Sequence, residues 1–379
     1  MLDFLSEKER EWIRGVYQKL ENKIEKECGR MGEKIPYIAE NGVYQKDMGE
    51  ENISWWTNGF WGGLLWQLYH AAGKQLYLQK AMLMEEKLDR ALEAYENLDH
   101  DVGFMWMHTS VADYRLTGNR KSLARGLHMA NLLAGRFNVT GNYIRAWNDD
   151  RPGWMIIDCL MNLSILYWAS EETGDPRFSA IARLHADTAA ETLLRQDGSC
   201  NHIAVFTPVT GELESLPAGQ GYGEGSAWSR GQAWAVYGFA ISYAHTKEQK
   251  YLDAAKRVAH FFIANAALTG YLPLCDFRAP KEPVYYDATA GACAVCGLLE
   301  IAKYVPEFEK TLYEQSALNM LAAMEEKFCN WKEEEDGILG MGKVAYHEQE
   351  QNQQVPVIYG DYFFTEAVLR FMEKDFFIW

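Results

Sequence analysis

Residues 156–194 read IIDCLMNLSILYWASEETGDPRFSAIARLHADTAAETLL, and this stretch indicates the fold of the whole chain. Its first half is an apolar, helix-forming run that stops at Gly174-Asp175-Pro176. Glycine is common just after the end of a helix, and proline is common in the first turn of the next one. Beyond this break, Phe178, Ile181 and Ala182 recur at the spacing of one helix face. The stretch therefore predicts two helices joined by a short turn, a helical hairpin.

The same arrangement recurs at intervals of about 45 to 75 residues, the size of a helical hairpin with its loops. It predicts twelve helices, near residues 7–27, 55–71, 76–95, 104–117, 120–136, 156–172, 177–194, 228–245, 249–266, 288–304, 308–328 and 360–373. We therefore expect an all-α fold, an (α/α)6 barrel of six helical hairpins that forms one domain over residues 1–379. An open solenoid is the competing architecture, but its repeats should resemble one another more closely. Period-two alternation is rare, and Tyr37-Ile38 and Tyr285-Tyr286 are the candidates for minor strands.

Composition and charge exclude several classes of protein. The formal net charge of −16 and the lack of a basic stripe argue against binding to nucleic acid. The chain shows no basic-then-apolar leader and no run of about 18 apolar residues, so we expect no signal peptide and no membrane partner. Seven scattered cysteines are typical of reduced thiols, which favours a cytoplasmic location. We expect a monomer or a weak homodimer.

Six segments rich in aromatic, acidic and other polar residues precede or begin a predicted inner helix. They are residues 53–61, 99–104, 154–158, 224–234, 285–290 and 358–363. In a barrel of hairpins, the loops that enter the inner helices lie together at one end. The sequence therefore predicts a cleft at that end, formed by these segments.

Asp158 is the first candidate for chemistry, because it follows the apolar run Trp154-Met155-Ile156-Ile157. An apolar setting favours the protonated carboxyl, which is the form that a general acid needs. The structural alternative is that Asp158 caps the N-terminus of the helix that follows. A second acidic group, Asp99-His100-Asp101, lies upstream beside aromatic residues. Two carboxylates in aromatic surroundings indicate acid–base chemistry on a sugar ring.

Arg230 and Trp234 lie one helical turn apart, so a guanidinium and an indole are expected on the same helix face. This pairing suits a carboxylated or sulfated sugar. The structural alternative is an arginine buried against a core carboxylate such as Asp361. Stacking walls for a sugar are available from the tryptophans at 55, 56, 61, 147, 154, 228 and 234, although core packing is the more common role for each one alone.

Motifs of other protein classes are missing from the sequence. There is no HExxH, no paired Cys/His spacing and no acidic calcium loop, so we expect no metal and no cofactor. There is also no nucleophile elbow, no Walker loop and no GxGxxG after a strand, which excludes the corresponding hydrolases, NTPases and dinucleotide enzymes.

Several motifs, in the same order, resemble those of the unsaturated glucuronyl hydrolases of glycoside hydrolase family 88, from about Trp56 to Leu369. The motifs are Trp56-Thr57-Asn58-Gly59-Phe60-Trp61, Leu98-Asp99-His100-Asp101-Val102-Gly103-Phe104, Ile156-Ile157-Asp158-Cys159-Leu160-Met161-Asn162-Leu163, Trp228-Ser229-Arg230-Gly231-Gln232-Ala233-Trp234, Cys296-Gly297-Leu298-Leu299-Glu300-Ile301-Ala302 and Gly360-Asp361-Tyr362. The family has an (α/α)6 barrel, which agrees with the six predicted hairpins.

The resemblance implies a glycosidase of polysaccharide degradation with unusual chemistry. Polysaccharide lyases leave a C4=C5 double bond in the non-reducing uronate, and enzymes of this family hydrate that vinyl ether, after which the aglycone sugar is released. By the same matching, Asp158 protonates C4 and activates the water that adds at C5, while Asp101 holds substrate hydroxyls and positions Asp158. The residues implied to contact the unsaturated oligosaccharide substrate are Trp56, His100, Trp147, His202, Gln220, Trp228, Arg230, Trp234 and Tyr346.

The chain departs from the family pattern in two places. Gly219 stands where a histidine is expected, and residues 348–357 lack the Ser, Gly and Lys residues that some relatives use around sulfate. We therefore expect glycosaminoglycan-type disaccharides without heavy sulfation. The alternatives are an unsaturated rhamnogalacturonyl hydrolase or a hydrolase of other 4,5-unsaturated glycosides. A sugar 2-epimerase is less favoured, because it needs a pair of catalytic histidines facing the barrel.

Overall fold

The computed structural model describes residues 2–95, 97–348 and 353–379. Residues 349–352, part of the segment expected to disfavour sulfate, lie outside the described residues. The helices are α1 (Glu7–Met31), α2 (Met48–Glu51), α3 (Phe60–Ala72), α4 (Gln75–Ala94), α5 (Val102–Trp106), α6 (Ala112–Thr117), α7 (Arg120–Gly135), α8 (Cys159–Asn162), α9 (Ser164–Thr173), α10 (Pro176–Thr192), α11 (Ser229–Thr246), α12 (Gln249–Ala267), α13 (Ala288–Ala302), α14 (Glu307–Phe328) and α15 (Ile358–Phe371). A 3-10 turn over Trp56–Gly59 precedes α3, and a π-helical turn over Met107–Val111 joins α5 to α6.

The helices form an (α/α)6 barrel, as predicted. Five hairpins are consecutive in the chain, namely α3–α4, α6–α7, α9–α10, α11–α12 and α13–α14. The sixth pair is formed by the last helix and the first, because α15 packs against α1. The inner ring also closes, since α15 contacts both α13 and α3.

The inner and outer helices differ in how much of their surface is buried. The inner helix α13 is buried along its whole length, whereas its outer neighbours α12 and α14 bury one face each. An inner helix has neighbours on all sides, so an apolar or small side chain is favoured at nearly every position. Close packing also brings backbones together: a Cβ on Gly103 would lie 2.6 Å from the Cα of Asn162.

The turn within residues 156–194 forms as its sequence indicates. Gly174 adopts a left-handed conformation with φ 72° at the end of α9, and Pro176 is the first residue of α10. The side chain of Asp175 accepts a hydrogen bond from the backbone N–H of Arg177 at 3.0 Å. This N-cap fixes the start of the outer helix directly after the glycine turn.

The short strands were only partly predicted. They are β1 (Phe137–Asn138) paired with β2 (Tyr143–Ile144), the sheet of β3 (Trp154–Ile156), β4 (Ile203–Phe206) and β5 (Leu213–Ser215), and β6 (Gly342–Lys343) paired with β7 (Gln353–Val355). The expectation that a helix begins at 156 was wrong, because residues 154–156 pair with β4 and the helix begins at Cys159. At the two expected minor strands, Ile38 and Tyr286 each form one isolated bridge. No described helix combines the length and the apolar character that crossing a membrane requires.

Candidate active site

A cavity of about 490 Å³ opens at the end of the barrel where the loops before the inner helices meet. We call it the main cavity. Its lining residues are Asn52, Ser54, Trp55, Trp56, Asn97, Asp99, His100, Asp101, Trp147, Asn148, Asp149, Ile156, Asp158, Gln220, Trp228, Arg230, Trp234 and Val344. Four of the six predicted segments contribute to this lining, while residues 285–290 and 358–363 do not.

Nine of the eleven residues expected to act on or contact a substrate line the main cavity. They are Trp56, His100, Asp101, Trp147, Asp158, Gln220, Trp228, Arg230 and Trp234. The other two lie beside it. His202 is buried next to Asp158, and Tyr346, which was expected to close one side of the site, lines a neighbouring cavity with Tyr222 and Tyr285.

Asp158 occupies the N-cap position of α8, but its side chain makes no capping hydrogen bond. The alternative interpretation of Asp158 as a helix cap is therefore wrong, because a capping side chain acts through a hydrogen bond to the backbone of the first turn. Its carboxylate is 16% exposed, and Oδ1 has no hydrogen-bond partner among the described residues. A carboxylate placed at a cavity wall without a structural bond is available to a ligand.

His202 faces the carboxylate of Asp158 with a defined tautomer. The backbone N–H of Gln220 donates to Nδ1 of His202 at 3.0 Å, so the proton of the neutral ring lies on Nε2. Nε2 is 3.6 Å from Oδ1 of Asp158. The departure at Gly219 has a structural reason here, because a Cβ on this residue, whose φ is +59°, would lie 2.0 Å from Nδ1 of His202.

Asp101 and His100 lie side by side in the wall of the main cavity. Nδ1 of His100 is 2.8 Å from the carbonyl of Ala146, and Nε2 is 3.3 Å from Oδ1 of Asp101. Burial, together with the charges of Asp99 and Asp158, raises the pKa of Asp101 to about 7 against the lowering effect of His100. Burial lowers the pKa of His100, but the carboxylates of Asp101 and Asp99 outweigh it, so the pKa of His100 is raised. Both groups therefore hold a proton more readily than the free side chains do.

Asn162 connects the two aspartates and was not identified from the sequence. Its Nδ2 donates to Oδ1 of Asp101 at 3.1 Å and lies 3.4 Å from the carbonyl of Asp158, while its Oδ1 accepts from the backbone N–H of Phe104 at 2.7 Å. The side chain is completely buried. The available signal was spacing, because Asn162 follows Asp158 by four residues and shares its helix face.

Arg230 reaches the wall of the main cavity, but its terminal nitrogens are already bonded. Nη1 donates to Asp287 at 2.6 Å and to the carbonyl of Lys343 at 2.7 Å, and Nη2 donates to the carbonyl of Val344. The structural alternative, an arginine buried against a core carboxylate, is confirmed with Asp287 as the partner, whereas Asp361, the example given, accepts hydrogen bonds from the backbone N–H groups of residues 338 and 339. The guanidinium also lies 4.6 Å from the ring centre of Trp228. Arg230 thus fixes the segment that carries Val344.

Several tryptophans of the cavity wall have indole N–H groups that form no hydrogen bond within the described part of the protein. The Nε1 atoms of Trp55, Trp228 and Trp234 are buried without a hydrogen-bond partner in the described part of the chain. The ring centroids of Trp147 and His100 are 6.0 Å apart. The guanidinium of Arg151 lies 4.5 Å from the ring centroid of Trp147. Apolar rings with unused polar atoms are typical of a site for a polar ligand with apolar faces.

Among the described residues, one group of side chains has the arrangement of possible metal ligands. It consists of Asp99, His100 and Asp101, which each offer one ligand atom within 4.8 Å of the others. Nδ1 of His100 is engaged with the carbonyl of Ala146, which leaves only Nε2, and this atom faces Asp101. The same three residues line the main cavity together with Asp158. The expectation of no metal and no cofactor stays a prediction.

Comparison with known proteins gives the family. The model of Glycosyl Hydrolase Family 88 matches residues 24–367. The chain is 33% identical over 351 residues to an unsaturated glucuronyl hydrolase of Bacillus sp. (strain GL1), covering 90% of this chain and 92% of that protein. It is 32% identical over 335 residues to an unsaturated chondroitin disaccharide hydrolase of Streptococcus pneumoniae, covering 83% of this chain and 81% of that protein.

A solved structure, a UGL variant described with dGlcA-Glc-Rha-Glc, superposes with a TM-score of 0.88 at 30% identity. The superposition covers 95% of this chain and 96% of that one. The family match spans far more than half of the sequence, and the fold agrees throughout. This chain belongs to Glycosyl Hydrolase Family 88.

Proposed function

We propose that this protein is an unsaturated glucuronyl hydrolase. It hydrates the C4=C5 double bond of the non-reducing unsaturated uronate in oligosaccharides produced by lyases, and so releases the aglycone sugar. The observation that carries the proposal is the placement of Asp101 and Asp158 on the wall of one aromatic cavity, with the Asp158 carboxylate unused by the fold. The similarity to an unsaturated glucuronyl hydrolase and an unsaturated chondroitin disaccharide hydrolase supports the same reaction class.

Asp158 acts as the general acid and base in this proposal. Its carboxyl delivers a proton to C4, the electron pair of the double bond forms the new C–H bond, and positive charge develops at C5 and the ring oxygen. Water then adds to C5 and gives a proton back to the carboxylate. The resulting hemiketal opens and breaks the bond to the aglycone. Nε2 of His202 lies 3.6 Å from Oδ1 of Asp158, so its N–H is beside the carboxylate but does not hold it through a hydrogen bond.

Asp101 and His100 hold the substrate hydroxyls. A protonated carboxyl donates a hydrogen bond to a sugar oxygen, and an ionised carboxylate accepts one from a sugar hydroxyl. The donated bond from Asn162 fixes the orientation of this carboxyl. Gln220, Trp56, Trp147, Trp228 and Trp234 form the wall contacts that we propose for the sugar rings, and the expected contacts of His202, Arg230 and Tyr346 stay predictions. That residues 1–379 form one catalytic domain stays a prediction.

The test is the loss of the ultraviolet absorbance of the conjugated double bond. Unsaturated disaccharides from chondroitin, hyaluronan, heparin and rhamnogalacturonan are the substrates, and we expect turnover of the glycosaminoglycan types. Turnover of the rhamnogalacturonan disaccharide alone would assign the alternative function, and no turnover of any substrate by a folded protein would refute the proposal.

Asp158→Asn should abolish turnover while substrate binding persists. The matched control is Asp175→Asn, which also changes an aspartate at an N-cap position. Asn is an equally good cap, so the control should keep full activity. An active Asp158→Asn variant would show that the role assigned to this residue is wrong.

A further inference from the structure

A second cavity, of about 380 Å³, shares Asn148 with the lining of the main cavity. Asn131 of α7, Arg136 after α7 and Arg145 after β2 also line it. No carboxylate belongs to its lining among the described residues, although the chain as a whole has a net charge of −16. We call it the Arg136–Arg145 cavity. None of the residues expected to act on or contact a substrate lines it, so the chemistry proposed above does not use it.

Arg136 is held by neutral acceptors only. Its Nε donates to the carbonyl of Arg145 at 3.0 Å, its Nη2 donates to the carbonyl of Ala146 at 2.9 Å, and its Nη1 donates to the side-chain oxygen of Asn148. Burial lowers the pKa of Arg136, and the charge of Arg145 lowers it further against the raising effect of Asp99. A partly buried cation without a counter-charge is unfavourable, so an anion in this cavity would be stabilising.

Arg145 has donors that the fold does not use. Its Nη2 donates to the backbone carbonyl of Asp149. Its Nη1 forms no hydrogen bond in the described part of the chain and, unlike its Nε, is not buried. The carboxylate of Asp149 is engaged by Arg151, whose Nε donates to it at 2.7 Å. The guanidinium of Arg145 is therefore accessible from the cavity and free to bind a ligand.

The two guanidiniums start from neighbouring points of the backbone. The N–H of Arg145 donates to the carbonyl of Arg136 at 3.0 Å, beside the pairing of β1 with β2. Each guanidinium offers N–H groups in a planar fork that matches the oxygens of a sulfate or phosphate group. A tetrahedral oxyanion has enough oxygens to meet two such forks that approach from different side chains.

The cavity is also connected to the wall that contains the acidic residues. Arg136 donates to the carbonyl of Ala146, and Nδ1 of His100 lies 2.8 Å from the same carbonyl. Asn148, which Arg136 holds through its side chain, lines both cavities. A ligand between the two arginines would therefore lie next to residues that shape the main cavity.

We infer that the Arg136–Arg145 cavity binds a tetrahedral oxyanion, a sulfate or phosphate group, between its two guanidiniums. The group is either a free inorganic anion or the sulfate of a sugar that extends from the main cavity past Asn148, since both present the same oxygens. The second source rests on the proposed function, because the unsaturated uronate must then occupy the main cavity. The binding of a free anion does not depend on that function.

The first experiment is a calorimetric titration with sodium phosphate and sodium sulfate, at an ionic strength kept constant with sodium chloride. The wild-type protein should bind one anion with a Kd on the order of 1 mM. Arg145→Gln removes one guanidinium. Asn131→Asp places a carboxylate in the lining and keeps an oxygen for Nη2 of Arg177, which donates to Oδ1 of Asn131 at 2.7 Å. Both variants should weaken binding at least about tenfold, the effect of one charge-assisted hydrogen bond.

Arg183→Gln is the matched control, because it removes the same charge as Arg145→Gln from an exposed ion pair with Glu248, at 2.6 Å and outside both cavities. It should keep the wild-type Kd, and the melting temperature shows that each variant is folded. Absence of saturable binding to the wild type would overturn the inference. Undiminished binding in a folded Arg145→Gln or Asn131→Asp variant, or an equal loss in Arg183→Gln, would also overturn it.

The second experiment distinguishes the two sources of the oxyanion. It compares KM for a sulfated unsaturated disaccharide and its unsulfated counterpart, each with and without phosphate. A rise in KM for the sulfated sugar alone supports the site with the sulfate of the substrate as its ligand. Equal effects of phosphate on both sugars, or none, support the site with a free anion as its ligand. If neither sugar is turned over while phosphate binds and Arg145→Gln weakens it, the proposed function is wrong and the oxyanion site stands.

Discussion

Replacing Asn162 by aspartate should slow catalysis without disturbing the fold. The carboxylate keeps an oxygen for the backbone N–H of Phe104, which donates to Oδ1 of Asn162 at 2.7 Å. It removes the N–H that donates to Oδ1 of Asp101 at 3.1 Å. A hydrogen bond to a charged group contributes about 1.5–3 kcal/mol. If this contribution is fully expressed in the transition state, kcat/KM falls about 10- to 150-fold.

The pH profile separates this role from a purely structural one. The donated bond of Asn162 lowers the pKa of Asp101, which burial raises to about 7. Removing the donor and adding a carboxylate both raise the pKa of Asp101, so the limb of the kcat/KM profile that reports this group should move to higher pH. The measurement is the ultraviolet assay between pH 5 and 9, together with the melting temperature.

Ser164→Ala is the control for Asn162→Asp. Ser164 is equally buried and two residues away, but its hydroxyl donates only to the carbonyl of Met161, at 2.9 Å. It should keep the wild-type profile. A folded Asn162→Asp variant with unchanged kcat/KM and an unchanged profile would refute the reasoning, as would an equal loss in Ser164→Ala.

Three further changes test the packing around the site. Gly219→Ala places a Cβ against His202 at a residue whose φ is +59°. The free energy of unfolding should fall by about 1–3 kcal/mol, which is measured as a lower Tm. An unchanged Tm would contradict the geometry. Asp287→Leu leaves the buried Arg230 without its carboxylate and should cost about 3–5 kcal/mol in urea unfolding, and a loss below about 1 kcal/mol would show that the pair is dispensable. Burial lowers the pKa of His185 to about 3, so the stability that its neutral ring contributes is present above pH 6.5 and is lost as the pH falls towards 3. His185→Gln should therefore reduce the acid sensitivity between pH 6.5 and 4 by up to about 3 kcal/mol, and parallel unfolding curves would argue against it.

The helical part of the fold was predictable because its signals are local. The break at Gly174-Asp175-Pro176 contains both the end of one helix and the start of the next, and the structure uses each residue in that way. The three-residue strand at 154–156 gave no comparable signal. Its partner, β4, lies nearly fifty residues away, and three residues are too few to show a period of two.

The site was predictable as a set of motifs but not as a set of bonds. Asp101 and Asp158 were found because carboxylates in aromatic surroundings are unusual. The partner of Arg230 was not, since both Asp287 and Asp361 begin inner helices and only the packed barrel decides between them. Asn162 was missed because a buried asparagine inside a helical run looks like any polar residue until its two acceptors are known.

The pairing of α15 with α1 closes the barrel through contacts between helices that are far apart in sequence. The backbone N–H of Leu2 donates to the carbonyl of Phe371 at 3.3 Å, so the ring is completed by contacts across nearly the full length of the chain. Contacts of such sequence separation form late and slow the folding of a chain. The main cavity takes its wall from loops on several sides of the ring, so residues that are far apart in sequence come together there only in the folded barrel. We therefore expect the inner ring that aligns these loops to be complete only when α15 has packed against α1 and α3.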